Sequence, residues 1–274
     1  IQFPRRIVEE QDGFDTLDIT VTTVQPNTPV ALPVPANVAS AAAAPEAPMA
    51  TIEKVSEGLW SVNAANTRSL AVEFADHIVM LEAPTSDARS VAANEVVRKT
   101  VPNKPIRYVV NTHAHYDHAG GLRQYVAEGI TVITHESNKA FFETAWARPR
   151  TIEPDALSKS PRAPVIETVD DKRVLSDATH AVELNHLANH GHHTAQLIAY
   201  LPKDGILMYG AGYNPPAGDD PRTPARGPEF AVQLVEAVER LKLAPERIAP
   251  VHGRVVPYEN LKIAFGISKP QLTE

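Results

Sequence analysis

The 274-residue sequence contains no cysteine. Disulfides and thiolate ligands are thereby excluded, and any bound metal must be held by nitrogen and oxygen donors. Runs of basic residues are missing as well. Lys and Arg number 26 against 33 Asp and Glu, a formal net charge of −7. No surface is set aside for neutralising phosphates, so nucleic acid is not an expected partner. No apolar stretch approaches the ~20 residues that span a bilayer, and membrane insertion is not expected either. An initiating methionine is also missing. The chain starts at Ile1, as a processed or truncated product would, and loss of a signal peptide would make it periplasmic or secreted.

What is present begins with a hydrophobic content of 43%, enough for a sizeable core, in a length that allows about two domains. Leu17-Asp18-Ile19-Thr20-Val21-Thr22-Thr23-Val24 alternates with period two and reads as a half-buried strand. From Gln25 to Ala50 the composition shifts. Pro26, Pro29, Pro33, Pro35, Pro45 and Pro48, with four consecutive alanines from Ala41, suggest an extended linker or an arm laid on a surface. This region carries no chemistry and reads as a tether or as the arm of a homo-oligomer. The expected division is therefore 1–50, a strand plus a Pro/Ala-rich arm, and 51–274, the main domain.

In the main domain Leu59–Val62, Leu70–Phe74 and Ile78–Leu81 read as strands, the last apolar on both faces. Thr85 to Asp87 offer caps for a helix whose Ala88, Val91, Ala92 and Val96 share one face. Ile106–Val110 is a β-branched, buried strand. It runs into Asn111-Thr112-His113-Ala114-His115-Tyr116-Asp117-His118-Ala119-Gly120-Gly121. Extended backbone points His113 and His115 to the same side. The two glycines call for a turn, and Leu122, Tyr125 and Val126 then recur at helical spacing. Asp117 and His118 thus sit on a strand-to-helix loop beside the two imidazoles. Singly, each histidine reads as a solvated side chain and Asp117 as an N-cap. Together they can hold one or two metal ions. Thr131–Thr134 is a further strand ending at His135, which reads as structural before a helix through Phe141, Phe142 and Trp146. The proline-rich stretch from Pro149 to Pro164 is expected to form a loop over the site. The second half repeats the plan weakly. Strands and helices alternating in two halves imply an α/β fold with two central sheets and helices outside, an αββα sandwich.

The motif His113-x-His115-x-Asp117-His118 resembles the signature of the metallo-β-lactamase superfamily, and the resemblance extends over roughly Ile52 to Gly266. It implies a metallo-β-lactamase fold and two later histidine ligands. One lies in a Gly-His element ten residues before the proline that ends the next strand. Counting back from Pro202 selects His192, preceded by Gly191, and His192 is preferred over His193, which stands where the family usually has Thr or Ser. His180, His186 and His190 read as polar strand-face residues. The last ligand is His252, in Pro250-Val251-His252-Gly253. Glu82, after the strand Ile78–Leu81, falls where the family carries an acidic residue tying the metal loop to its sheet, a plain turn carboxylate being the alternative. The resemblance fails at one place. Most hydrolases of the family have a metal-bridging aspartate after the strand that ends here in Tyr209-Gly210, and this chain has Ala211.

The implied constellation is His113, His115 and His192 at one metal site and Asp117, His118 and His252 at a second. This set is similar to that of dizinc β-lactamases lacking a cysteine ligand. The expected cofactor is zinc, one or two ions per chain. Three neutral imidazoles leave a tetrahedral zinc one open position for water, whose pKa falls from 15.7 to roughly 7. The expected reaction is attack of that ionised water on the carbonyl of a small amide or ester, most sharply a β-lactam ring, with Asp117 as the catalytic carboxylate that orients it or relays its proton. Lactonase or esterase activity is the alternative, as is a degenerate metal-binding module. The expected partner is a small-molecule substrate. Tyr116, Tyr213 and the loop from Asn214 to Arg226 are candidates for its pocket.

Overall fold

A computed structural model describes residues 2–11, 14–29, 31–36, 48–216, 218 and 228–267. The chain forms two compact units, Ile1–Pro45 and Glu46–Glu274. The first holds a hairpin of β1 (Arg6–Gln11) and β2 (Phe14–Thr20), with Ile7 opposite Ile19. Arg6 donates to both carboxylate oxygens of Asp18 at 2.8 Å. The strand expected over 17–24 starts earlier and stops at Thr20. Its end is set by its partner: the Val21 N–H donates to the Arg5 carbonyl, 2.9 Å away.

The second unit opens with β3 (Ala50–Ser56), β4 (Leu59–Ala64), β5 (Thr67–Glu73) and β6 (Ile78–Leu81), followed by α1 (Asp87–Thr100) and β7 (Ile106–Val110). Short helices α2 (Tyr116–Ala119) and α3 (Leu122–Glu128) lead to β8 (Thr131–His135), α4 (Glu136–Trp146), α5 (Ala156–Lys159) and β9 (Ile166–Val169). These strands form a seven-stranded sheet in chain order, antiparallel from β3 to β6 and parallel from β6 to β9. The second sheet has six strands, also in chain order: β10 (Lys172–Ser176), β11 (Ala181–His186), β12 (Leu197–Leu201), β13 (Ile206–Tyr209), β14 (Arg247–Pro250) and β15 (Val256–Pro257). Helix α6 (Pro228–Arg240) precedes β14, and α7 (Tyr258–Ala264) follows β15.

Three apolar layers make this an αββα sandwich. Leu70, Val72, Leu81 and Val110 of the first sheet meet Leu184, Leu197, Leu201 and Met208 of the second in one central core. The outer face of the first sheet is covered by Val97 of α1, Tyr125 of α3 and Phe142 and Trp146 of α4. Leu234 and Val238 of α6 and Leu261 of α7 cover the second. Strand β6 is buried along its whole length, as its unbroken apolar run requires.

Helix α1 turns a different face inward from the one its apolar residues mark. Ala88 is exposed and Val91 is 38% exposed, whereas Arg89, Ser90, Ala93, Asn94 and Val97 are buried. The cause is Arg89, fully buried, whose guanidinium donates to Ser69 Oγ at 2.7 Å, to Thr67 Oγ1 at 3.2 Å and to the Val62 and Thr67 carbonyls at 3.3 Å. A buried cation satisfied this fully outweighs two small apolar side chains. Gly120 and Gly121 also serve differently from expectation. Both have negative φ, −61° and −96°, so neither supplies a left-handed turn. Close approach demands them: a Cβ would fall 2.1 Å from the Thr85 carbonyl oxygen at Gly120 and 2.1 Å from Ser90 Oγ at Gly121.

Candidate metal centre

Strands β6, β7 and β8 are parallel, and their carboxyl ends present Glu82, the loop 111–121 and His135 along one edge of the sheet. Ligand sites of open α/β sheets gather at such edges. The two sheets are joined there, since the Leu197 N–H at the start of β12 donates to the Thr112 carbonyl at 2.8 Å.

The loop holding the motif is braced from within. Asn111 is fully buried. Its side-chain amide donates to the His113 carbonyl at 2.7 Å and the His118 carbonyl at 3.3 Å, while its oxygen accepts from Thr134 Oγ1 at 3.3 Å. Glu82, also fully buried, accepts the Thr112 N–H at 2.6 Å with one oxygen and faces His118 Nδ1 at 2.6 Å with the other. Its backbone stands at φ +74°, a conformation costly for a residue with a Cβ and held by these two bonds. Of the two readings of this residue, the structure selects the one in which it ties the loop to the sheet.

Three imidazoles converge on one point. His192 Nε2 lies 3.2 Å from His113 Nε2 and 3.0 Å from His115 Nδ1. Burial, followed by the neighbouring His118, His192 and His115 rings, holds His113 far below the usual histidine pKa. Burial and His115 bring His192 down to about 4. His113 and His192 are therefore neutral at physiological pH. A single proton cannot bridge three facing lone pairs, and a cation can. The ligand atoms of His113, His115 and His192 all lie within 4.8 Å of one another, a donor set that suits a tetrahedral divalent ion.

Asp117, His118 and His252 form a second such group, their ligand atoms again within 4.8 Å of one another. Asp117 Oδ2 lies 3.0 Å from His252 Nε2 and 3.3 Å from His118 Nε2. Its hydrogen bond with His118 holds the carboxyl far below the ordinary carboxylate range. Burial alone would lower the His118 pKa, but the Glu82 charge and the bonds to Asp117 and Glu82 outweigh it and raise it to about 9. Carboxylates that favour a proton on this ring favour a metal cation in its place.

The two later histidines arrive on loops of the second sheet. His192 follows β11 and is set by its neighbours: the Gly191 N–H donates to Gln233 Oε1 of α6 at 2.8 Å, and His190 Nε2 lies 2.9 Å from the Tyr209 hydroxyl. His252 follows β14 and is straddled by Arg68. The Arg68 backbone N–H donates to the Val251 carbonyl and its Nε to the Gly253 carbonyl, both at 2.8 Å.

All six residues expected from the sequence are thus brought together in two groups. His193 is beside them, its ring 5.1 Å from that of His115, but its Nδ1 accepts the Ala195 N–H at 3.0 Å. His135 caps α4, accepting the Ser137 N–H at 3.2 Å, and its ring lies tilted against that of His186 with centroids 4.0 Å apart. His190 is buried in the turn after β11 rather than on a strand face, with its ring against Tyr209. Tyr213 is 2% exposed, in the core beneath α6 and α7, whereas Tyr116 is 68% exposed. Of the loop from Asn214 to Arg226, positions 217 and 219–226 lie outside the described residues. The stretch 149–164 packs on Arg123, whose Nη2 donates to Asp155 Oδ1 at 3.0 Å. Sequence reading had no signal for the bracing by Asn111 and Arg68, since a polar residue at a strand end looks the same whether or not it is buried.

Residues 79–252 match the sequence model of the family described as Metallo-beta-lactamase superfamily. Among solved structures, the chain is similar to the DIM-1 metallo-beta-lactamase exposed to ceftazidime, with a TM-score of 0.59 and 18% identity over 81% of this chain and 97% of that one. It is also similar to the FIM-1 metallo-beta-lactamase from Pseudomonas aeruginosa in its mono-zinc form, with a TM-score of 0.57 and 19% identity over 81% and 96% of the two chains. At such identities the likeness is one of fold. Among curated proteins, the 2,4-dinitroanisole O-demethylase subunit beta of Nocardioides sp. (strain JS1661) is 31% identical over 99 residues, 35% of this chain and 31% of that one. The alpha subunit is 24% identical over 89 residues, 32% of this chain and 27% of that one. The matches span less than a third of the length of either relative.

Proposed function

The chain belongs to the metallo-beta-lactamase superfamily and is a metal-dependent hydrolase, and from that premise we propose that it cleaves the acyl bond of a small cyclic amide or ester, with a β-lactam as the sharpest case and zinc as its metal. The observation that carries this reading is the pair of converging groups, His113 with His115 and His192, and Asp117 with His118 and His252. Zinc held by such residues supplies a water of lowered pKa, near 7, and positive charge for a carbonyl oxygen.

The remaining work falls to the protein. Asp117 is ionised and half-exposed, so it faces an arriving substrate with an oxygen able to accept a proton from water or orient it. Glu82 fixes His118 with Nδ1–H turned inward, leaving Nε2 for the second group. Ala211 offers no bridging carboxylate, which disfavours chemistries built on a tightly bridged pair of ions and leaves simple acyl hydrolysis. Lactone or ester cleavage uses the same parts.

A second reading rests on the two O-demethylase subunits. Water added across an aryl methyl ether releases a phenol and methanol, and a metal-activated water serves that reaction too. Turnover of a chromogenic cephalosporin and a simple aryl ester, lost on chelation and restored by zinc, is the expected result. Turnover of a nitroanisole alone would favour the second reading. Stoichiometric zinc with no turnover of any of the three would overturn both in favour of a metal-binding module.

A further inference from the structure

The metal loop has a second face. Ala114 and Tyr116 alternate along the chain with His113, His115 and Asp117, and with Ala119 and Gly120 they wall a cavity of about 350 Å³. Its opposite wall comes from α4. Phe142 and Trp146 stack there with centroids 4.5 Å apart at an interplanar angle of 14°, and both are buried, so this wall is a fixed aromatic surface. Phe141 and Tyr116 also line the cavity but remain 55% and 68% exposed. Two large aromatic side chains left in water around one cleft forfeit burial energy and mark a surface that something else covers.

The charges of the cleft select what that is. Arg123, Arg148 and Arg150 all line it. Arg123 is committed to Asp155, and Arg150 to Asp87 and Asp155. The guanidinium of Arg148 has no partner among the described residues. An exposed, unneutralised fork of donors beside flat apolar walls is complementary to a planar ring carrying a carboxylate. The volume is at the small end of ligand pockets, ~300–1,000 Å³, which suits a single substituted ring.

We propose that this cleft is the substrate's recognition subsite, taking an aromatic ring against Phe141 and Trp146 with its carboxylate on Arg148. The proposal rests on the hydrolase reading, and it names the substrate class: an amide, ester or ether whose distal part is an aryl carboxylate. Ala114, Tyr116 and Ala119 each adjoin a metal-group residue in sequence, so the cleft lies against the same loop that carries those groups.

Trp146 is one of only two tryptophans, so in Trp60→Phe protein its emission reports occupancy of the cleft. The test is titration of the zinc-loaded protein with 4-nitrobenzoate, a ring that quenches tryptophan, and with neutral 4-nitrobenzamide. Saturable quenching by the benzoate is expected, weakened about tenfold or more by Phe141→Ala and by Arg148→Ala, and about as weak for the benzamide on the unaltered cleft. Both side chains are exposed, so neither variant threatens the fold. His115→Ala should leave the Kd unchanged. Quenching lost in His115→Ala would place the carboxylate on the metal group and overturn the proposal, as would indifference to Phe141→Ala and Arg148→Ala or equal binding of the amide. Ring binding without turnover of any substrate would sink the hydrolase reading alone. Turnover without ring binding would sink the subsite alone.

Discussion

Glu82 Oε2 lies 2.6 Å from His118 Nδ1, and both side chains are buried, at 0% and 2% exposure. A carboxylate so placed does more than orient a ring, because its charge offsets part of the charge of any cation on His118 Nε2. Replacing such a partner of a ligand usually costs ~10–100-fold in metal affinity. Glu82→Gln keeps the shape and an oxygen for the Thr112 N–H, and should weaken the second metal by that factor while sparing the first. Zinc titration against a chromogenic chelator reads the two affinities separately, and a uniform loss at both would contradict this role.

His115 is an exposed member of the first group, so its removal should leave the fold intact. His115→Ala is expected to lower kcat/KM by more than the ~10–100-fold typical of residues that only support a ligand, with an unchanged far-ultraviolet dichroism spectrum. Activity persisting at wild-type level would mean that this group does not hold the working metal.

The Arg123–Asp155 pair ties the stretch 149–164 to α3, with side chains only 6% and 7% exposed. The Arg123 hydrogen bond holds the Asp155 carboxyl well below its ordinary range. A carboxylate with a depressed folded-state pKa contributes stability that is fully present above its unfolded value of about 3.9 and is lost as pH falls from there through the folded value. Asp155→Asn should therefore lower stability at pH 7, by about 3–5 kcal/mol if the arginine is left buried and unpaired. The difference from wild type should shrink in acid. Thermal denaturation at pH 7 and pH 3 measures both, and a gap that widens in acid would reverse the assignment.

These residues also show what can be read from a sequence of this kind. Strand β6 was legible because a strand buried on both faces must be apolar at every position. The loop from Asn111 to Gly121 was legible because ligand chemistry demands particular residue types at particular spacing. His192 and His252 came only through the family resemblance, since one histidine after a strand says nothing about which distant residues it meets. Helix α1 and its cap are legible, but the face it buries is not, for a physical reason. Hydrophobic periodicity assumes that buried faces are apolar, and Arg89 is buried because Ser69, Thr67 and Val62 accept its hydrogen bonds from strands distant in sequence. Strand β1, Arg-Ile-Val-Glu-Glu-Gln, escaped reading because its strand character comes from pairing with β2 and not from burial.

Ala211 follows β13 immediately after Gly210, whose Cβ position would lie 3.2 Å from His118 Nδ1. The family resemblance puts a bridging carboxylate at position 211, so restoring one there tests that alignment. Ala211→Asp should raise the zinc content toward two ions per chain and tighten the weaker site. An unchanged metal count by elemental analysis would show that position 211 does not face the metal groups.

The straddling of His252 by Arg68 leads to the last expectation. His252 is the member of the second group farthest along the chain, on a loop between β14 and β15, and Arg68 of β5 bonds to the carbonyl on either side of it. Arg68 is 8% exposed, so its charge-assisted bonds are shielded from competing water and contribute more than they would at a surface. Arg68→Met retains much of the side-chain volume and the backbone bond to Val251 but loses the bond to Gly253. The loop should then sample positions in which His252 leaves Asp117, weakening the second metal more than it weakens substrate binding. The expected signature is a lower kcat with a nearly unchanged KM, largely rescued by excess zinc, because mass action restores a site whose ligands are present but badly held. Rescue would be absent if Arg68 touched the substrate, and KM would rise instead, so the two parameters measured across a zinc series decide between a positioning residue and a binding one.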